Sequence, residues 1–114
     1  MDQCIFCSIV QGKTPAKIVY KDESVLAFED INPQAPLHLL VIPRKHLPSL
    51  TDMDSEDEPL VGHLLAVAAQ LARERSVHEG GYRTVINNGI SAGQSVFHLH
   101  LHVLGGRQFH WPPG

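Results

Sequence analysis

The chain has 114 residues, 43% of them hydrophobic and 18% charged, with a net charge of −3, two cysteines and eight histidines. That length predicts one domain, 1–114, with apolar material enough for a core. The charge excludes a broad basic surface for nucleic acid, two cysteines exclude a multi-disulfide scaffold, and no apolar run approaches the roughly 20 residues of a membrane span. The opening MDQCIFCSIV has no basic region and no small-residue cleavage site, which predicts a cytoplasmic protein.

In chain order, residues 4–10 form a short apolar run ahead of Gly12 and predict a short helix or turn. Residues 17–21 and 24–30, rich in Val, Ile, Tyr and Phe, flank a Lys21-Asp22-Glu23 turn and predict a hairpin. Asp30-Ile31-Asn32-Pro33-Gln34-Ala35-Pro36 reads as a loop, because two prolines so close stop strand and helix alike. Residues 38–43 (HLLVIP) predict a buried strand. The run 52–58 is acidic at five of seven positions, which suits the positive end of a helix dipole. Ser55-x-x-Glu58 fits a capping box, and Pro59 is tolerated near a helix start. An acidic binding surface is the alternative. Apolar residues then recur at 60, 61, 64, 65, 67, 68, 71 and 72, the stripe of an amphipathic helix, closed by Gly80-Gly81. Residues 82–87 predict a strand, 88–95 a glycine-containing loop, and 96–104 a strand stopped by Gly105-Gly106. The sum is an α+β fold: an antiparallel sheet with one long and one short helix.

The last strand alternates strictly, with His98, His100 and His102 at every second position. In a strand such residues share a face, about 7 Å apart, while Leu99, Leu101 and Val103 cover the other face. A row of imidazoles in register is an improbable accident on a polar outer face. Two chemical readings remain. A H-x-H strand can ligate zinc. Alternatively, one neutral imidazole acts as a nucleophile while its neighbours hold its tautomer. The preceding Gly93-Gln94-Ser95 offers backbone N–H groups for a phosphate, which favours phosphoryl chemistry.

The run His98-Leu99-His100-Leu101-His102-Val103-Leu104 resembles the H-φ-H-φ-H-φ-φ signature of the histidine triad (HIT) superfamily. Asp30-Ile31, Pro33-Gln34-Ala35-Pro36, His38 and the strand to Pro43 are similar to that family's first half. Gly93-Gln94-Ser95 and the tail GGRQFHWPPG resemble its HINT branch, the histidine triad nucleotide-binding proteins. The resemblance implies a purine nucleoside phosphoramidase that releases AMP-type nucleoside 5′-monophosphates from phosphoramidates or acyl-adenylates. His100 would attack the α-phosphorus, forming a nucleotidyl-histidine that water hydrolyses. A backbone carbonyl would fix the tautomer of His100, His102 would bond the phosphate oxygens, and His38 would support the triad. Ser95 would sit near the leaving group, the Gln94 and Ser95 amides near the phosphate, with Gly93 and Asn87 beside it. Asp30 would accept from the ribose hydroxyls, and Ile5, Phe6, Ile9, Phe28 and Ile31 would line the base slot. The resemblance also implies a homodimer with the sheet continued across its interface. Trp111 would reach the partner's active-site region, or else anchor the tail on its own subunit.

Cys4-x-x-Cys7 alone fits a zinc knuckle, a redox pair or two buried thiols. Superfamily members carrying such a pair use Cys, Cys, His, His, which implies a structural Zn2+ on Cys4, Cys7, His46 and His98, and no organic cofactor. That zinc would commit His98 to structure and leave catalysis to His100 and His102. The residues leave two rivals standing: a nucleotide-binding regulatory module whose hydrolysis is slow and incidental, and a hydrolase in which zinc is held by the triad itself.

Overall fold

A computed structural model describes residues 3–114; Met1 and Asp2, which open the expected domain, lie outside the described residues. Five strands form one antiparallel sheet: β1 Ile18–Lys21, β2 Val25–Glu29, β3 Leu37–Pro43, β4 Tyr82–Ile86 and β5 Leu101–Gly105, in the order β1-β2-β3-β5-β4. The short helix α1 is Ile5–Val10 and the long helix α2 is Glu58–Glu74. The α+β architecture expected from the sequence is the one observed. No helix among the described residues is long and apolar enough to cross a membrane.

Strand alternation sends the two faces of the sheet to different partners. Val25, Ala27, Leu39, Val41, Leu101 and Val103 face α2 and pack with Leu64, Val67, Ala68 and Leu71. Leu26, Phe28, Leu40 and Ile42 face the other way, against Phe6 and Ile9 of α1. His38 and His102 fall on this second face. In the register, Leu40 opposes His102 and His38 opposes Leu104, so the two imidazoles are diagonal neighbours on adjacent strands. Gly105 is glycine for space: an added Cβ would lie 2.9 Å from the Val77 side chain.

Several boundaries move from their sequence positions. The expected capping box is one residue off. Asp54, not Ser55, accepts from the Glu56 amide at 3.0 Å, and Asp57 accepts from the Asp54 amide at 3.1 Å. The acidic run therefore caps a 3-10 turn, Ser55–Asp57, from which α2 continues with Pro59 in its first turn. α2 ends at Glu74, well before Gly80-Gly81, where Ser76 takes φ 61°. The strand expected over 96–104 shrinks to Leu101–Gly105, so His98 and His100 lie in the segment leading into it.

Candidate active site

The cleft lies on the α1 face of the sheet and has a volume of about 360 Å³, within the usual range for a small-molecule site. Ile5, Phe6 and Ile9 of α1, Phe28 of β2 and the exposed Ile31 give it apolar walls. Asp30, Ser95, His100 and His102 supply polar groups at its rim and floor. Sequence reading did not single out Thr14, Pro15, Ala16, Leu40 and Val96, which also line it. They carry no chemical signature, and only the fold brings the 14–16 segment to this face.

Hydrogen bonds fix the tautomer of each imidazole. His100 Nδ1 lies 2.8 Å from the His98 carbonyl. A carbonyl only accepts, so Nδ1 carries the proton and Nε2 keeps its lone pair. His38 Nδ1 accepts from the Gln34 amide at 3.0 Å, so the proton of His38 is on Nε2. That nitrogen lies 2.9 Å from His102 Nδ1 and 3.3 Å from Asp30 Oδ2. His102 therefore accepts at Nδ1 and is a donor at Nε2. The His100 and His102 rings are 5.0 Å apart, and the Phe6 ring meets His100 edge-on at 5.1 Å. Burial pushes His38 below the ordinary histidine range; it also brings His102, with His100 and His38 beside it, down to about 4. Both rings are neutral at neutral pH.

His98 takes another course. The chain enters β5 only at Leu101, so the common face expected for three imidazoles is not kept. His98 is fully buried away from the cleft. Its Nε2 donates to the Pro43 carbonyl at 2.7 Å, which leaves an unprotonated Nδ1 aimed 3.4 Å from Cys4 Sγ and 3.6 Å from Cys7 Sγ. His46 Nδ1 is 3.2 Å from Cys7 Sγ. The ligand atoms of Cys4, Cys7, His46 and His98 all lie within 4.8 Å of one another, a cluster able to hold a metal ion. Both cysteines are free thiols. Burial pushes the Cys7 thiol up, and Cys4 beside it adds to that; a divalent cation would reverse the sign by holding thiolates. The carbonyl that orients His98 is the second partner a metal-bound imidazole requires. Asp30, His38 and His102 form another close group, whose atoms are engaged in the hydrogen bonds above.

The glycine loop is a brace more than a phosphate cradle. The Gln94 amide donates to the Gly89 carbonyl at 3.1 Å and the Gly93 amide to that of Ile90 at 3.0 Å. The Gln94 side chain, buried, accepts from the Gly89 amide and donates to the Pro48 and Val96 carbonyls. The Gln94 amide, expected near the phosphate, donates inside the loop in this structure. The Ser95 amide has no partner among the described residues. Asn87, Gly93 and Gln94 do not line the cleft. Trp111 is 84% exposed and is not anchored on its own subunit.

Known proteins are similar to this chain in sequence and fold over most of its length. The family model described as scavenger mRNA decapping enzyme C-term binding matches residues 3–110. An uncharacterized HIT-like protein of Synechocystis is 52% identical over 113 residues, which are 99% of this chain and 98% of that protein. The chain belongs to the histidine triad (HIT) superfamily. A HIT family hydrolase from Legionella pneumophila superposes with a TM-score of 0.96 at 49% identity, covering 98% of this chain and all of its own. A histidine triad protein from Clostridium difficile gives 0.92 at 44% identity, covering 96% and 95%. Within the HIT signature of this chain, the first histidine joins the cysteine cluster and the second and third face the cleft.

Proposed function

We propose that this HIT protein, read as a member of the HINT branch, is a nucleoside phosphoramidase. It would cleave the P–N bond of nucleoside 5′-phosphoramidates, or the acyl-phosphate bond of acyl-adenylates, and release AMP-type products. The observation that carries this is the 2.8 Å bond from His100 Nδ1 to the His98 carbonyl. It leaves Nε2 as the unprotonated nitrogen of a ring at the cleft, which is what a nucleophile requires. That the similar Legionella protein is a HIT family hydrolase supports the hydrolase part of this reading.

His100 Nε2 attacks the α-phosphorus. The P–N bond breaks as the N–P bond to His100 forms, and the departing amine takes a proton that water supplies through the Ser95 hydroxyl, which loses one proton as it gains another. Water then attacks the nucleotidyl-histidine, gives its proton to solvent and returns His100 neutral. His102 donates from Nε2 to a non-bridging phosphate oxygen, where charge develops. The Ser95 amide, without a partner among the described residues, adds a donor there. Asp30 accepts from the ribose hydroxyls, and the apolar walls take the base, with purines favoured by area.

Cys4, Cys7, His46 and His98 would hold a structural zinc ion, which fits tetrahedral S2N2 ligation. The ion ties the start of α1 to the segment leading into β5. The chain would act as a homodimer, since β4 is an edge strand of the sheet and an edge left open invites pairing.

The test is intact-protein mass spectrometry after acid quench with an adenosine phosphoramidate, wild type beside His100→Ala. An adenylyl adduct on wild type alone is expected, with turnover by His100→Ala down by about 10³-fold or more and AMP binding retained. Ser95→Ala is expected to slow turnover by only about tenfold. Full turnover by His100→Ala would overturn the mechanism. AMP binding without turnover by wild type would favour a nucleotide-binding module.

A further inference from the structure

The hydrogen bonds behind the triad continue past His38 into the C-terminal tail. Gln34 is held on both sides: its amide donates to His38 Nδ1 at 3.0 Å, and its carbonyl accepts from Arg107 Nε at 2.9 Å. Two further bonds stiffen the loop carrying it. The Gln34 side-chain amide donates to the Asn32 carbonyl at 3.0 Å, and the Asn32 amide donates to Asp30 at 2.8 Å. The tail meets this loop again at Gly106, where φ is +89° and an added Cβ would come within 3.0 Å of Pro36. Arg107 is itself oriented: its guanidinium lies 4.1 Å from the centre of the Phe109 ring, and Nη1 donates to the Gln108 carbonyl at 2.9 Å. Arg83 of β4 flanks the same ring at 5.1 Å and donates to the His110 carbonyl.

We infer that Arg107 is a positioning residue for the proposed reaction: by clamping Gln34 it holds the protons of His38 and His102 on their Nε2 atoms. The inference rests on the phosphoramidase reading for its kinetic part and on the hydrogen-bond chain alone for its tautomeric part. A neutral imidazole carries one proton on two nitrogens, and the two tautomers differ little in free energy until a neighbour chooses between them. Asp30 Oδ2, 3.3 Å from Nε2 of His38, favours a proton on that nitrogen, and the Gln34 amide, donating to Nδ1, excludes one from the other. If that amide withdraws, His38 can carry its proton on Nδ1 and accept at Nε2. His102 then donates from Nδ1, and its Nε2 presents a lone pair to the phosphate instead of a proton. No atom is lost from the site, yet one hydrogen bond to the developing charge becomes a repulsion. The seated tail therefore selects the competent proton arrangement from outside the cleft.

The experiment combines long-range 1H–15N correlation of the histidine rings at neutral pH with steady-state kinetics on an adenosine phosphoramidate. It compares wild type, Arg107→Met, Arg107→Lys and Arg83→Met. Arg107→Met keeps an apolar stem on Phe109 but removes the donors. Arg107→Lys keeps one donor and the charge. Arg83→Met loosens the tail without touching Gln34. Wild type is expected to show His102 protonated on Nε2. Arg107→Met is expected to shift His38 and His102 toward the Nδ1–H forms and to lower kcat about tenfold with KM within about twofold, the pattern of an interaction made in the transition state. Arg107→Lys and Arg83→Met are expected to keep the wild-type tautomers and most of kcat. Unchanged tautomers in Arg107→Met overturn the inference, as do shifted tautomers with unchanged kcat. An equal shift in Arg83→Met overturns it too, because tail anchorage alone would then suffice. Should Arg107→Met fail to fold, Arg107→Lys decides it: wild-type tautomers there support the clamp and Nδ1–H forms refute it. If wild type itself turns nothing over, the phosphoramidase reading falls, while the ring spectra still decide the tautomer lock.

Discussion

A neutral imidazole placed between two fixed partners has only one tautomer left to it. His100 has the His98 carbonyl at Nδ1, and His38 has the Gln34 amide at Nδ1. The first choice makes an acceptor of His100 Nε2, and the second makes a donor of His102 Nε2. The proposed nucleophile and the proposed phosphate donor thus differ in backbone surroundings, not in residue type. Burial also disfavours the charged forms, and this gives a pH prediction. His38 and His102 are both lowered in the folded chain, His102 to about 4, whereas unfolded histidine titrates near 6.5. Between those values the unfolded chain binds more protons. Stability is expected to be at its full value above about pH 6.5 and to fall as pH drops below it, the share from His102 being fully lost once pH is below about 4. Guanidinium unfolding at stepped pH measures it; stability flat across that window would mean the rings are not buried neutral.

At the level of elements, α2 shows how far periodicity reaches. The stripe over 60–72 gives the helix its apolar side, but one stripe wider than the contact face contains positions that the sheet never meets. Leu64 and Leu71 are fully buried against the sheet, whereas Leu65 is 50% exposed. Leu71→Ala is expected to cost about 2–5 kcal/mol through lost burial and a residual cavity, and Leu65→Ala less than about 1 kcal/mol. Chemical denaturation of the two variants decides it, and equal costs would mean that α2 packs on another face. The C-terminal histidine strand shows the opposite limit. Its alternation is a strand pattern over nine residues, yet pairing with β3 and β4 begins only at Leu101. Before that point the backbone serves local demands: the His98 carbonyl turns to His100, and the His98 ring turns to the Pro43 carbonyl. No periodicity encodes either bond.

Across the whole molecule, two long-range closures matter. The cysteine–histidine cluster joins the first helix to the segment entering β5 and to the loop after β3. Removal of a bound zinc ion by a chelator is expected to lower Tm by about 10 °C or more, since metal binding to a folded site is folding free energy. His100, the proposed nucleophile, lies outside that cluster. Residual turnover in molecules that stay folded should therefore survive. An unchanged Tm in a metal-loaded sample would show that the cluster does not hold the fold together. The open edge of β4 is the second closure. Sedimentation of the intact chain is expected to give twice the monomer mass, and a monomer at all concentrations would refute pairing there.

The sequence by itself determined the element types, since period 2 and period 3.6 follow from which face of a strand or helix is buried. It also determined the chemistry available: three spaced imidazoles, a CxxC pair and a carboxylate before a proline loop are residue facts. The α+β sheet with a long and a short helix was legible for the first reason, and HIT membership for the second. Which imidazole does what was decided by tertiary structure. Cys4 and His98 are 94 positions apart, and His38 and His102 are 64 apart. Their partners are brought together by strand register and by α1 docking, so the division of one motif into a histidine in the cysteine cluster, one left with an acceptor at Nε2 and one left with a donor there is set by contacts between distant residues. The Gln94 amide, closed into its own turn, and Arg107, drawn onto the Gln34 carbonyl, follow the same physical rule: a backbone hydrogen bond goes where the folded chain supplies a partner.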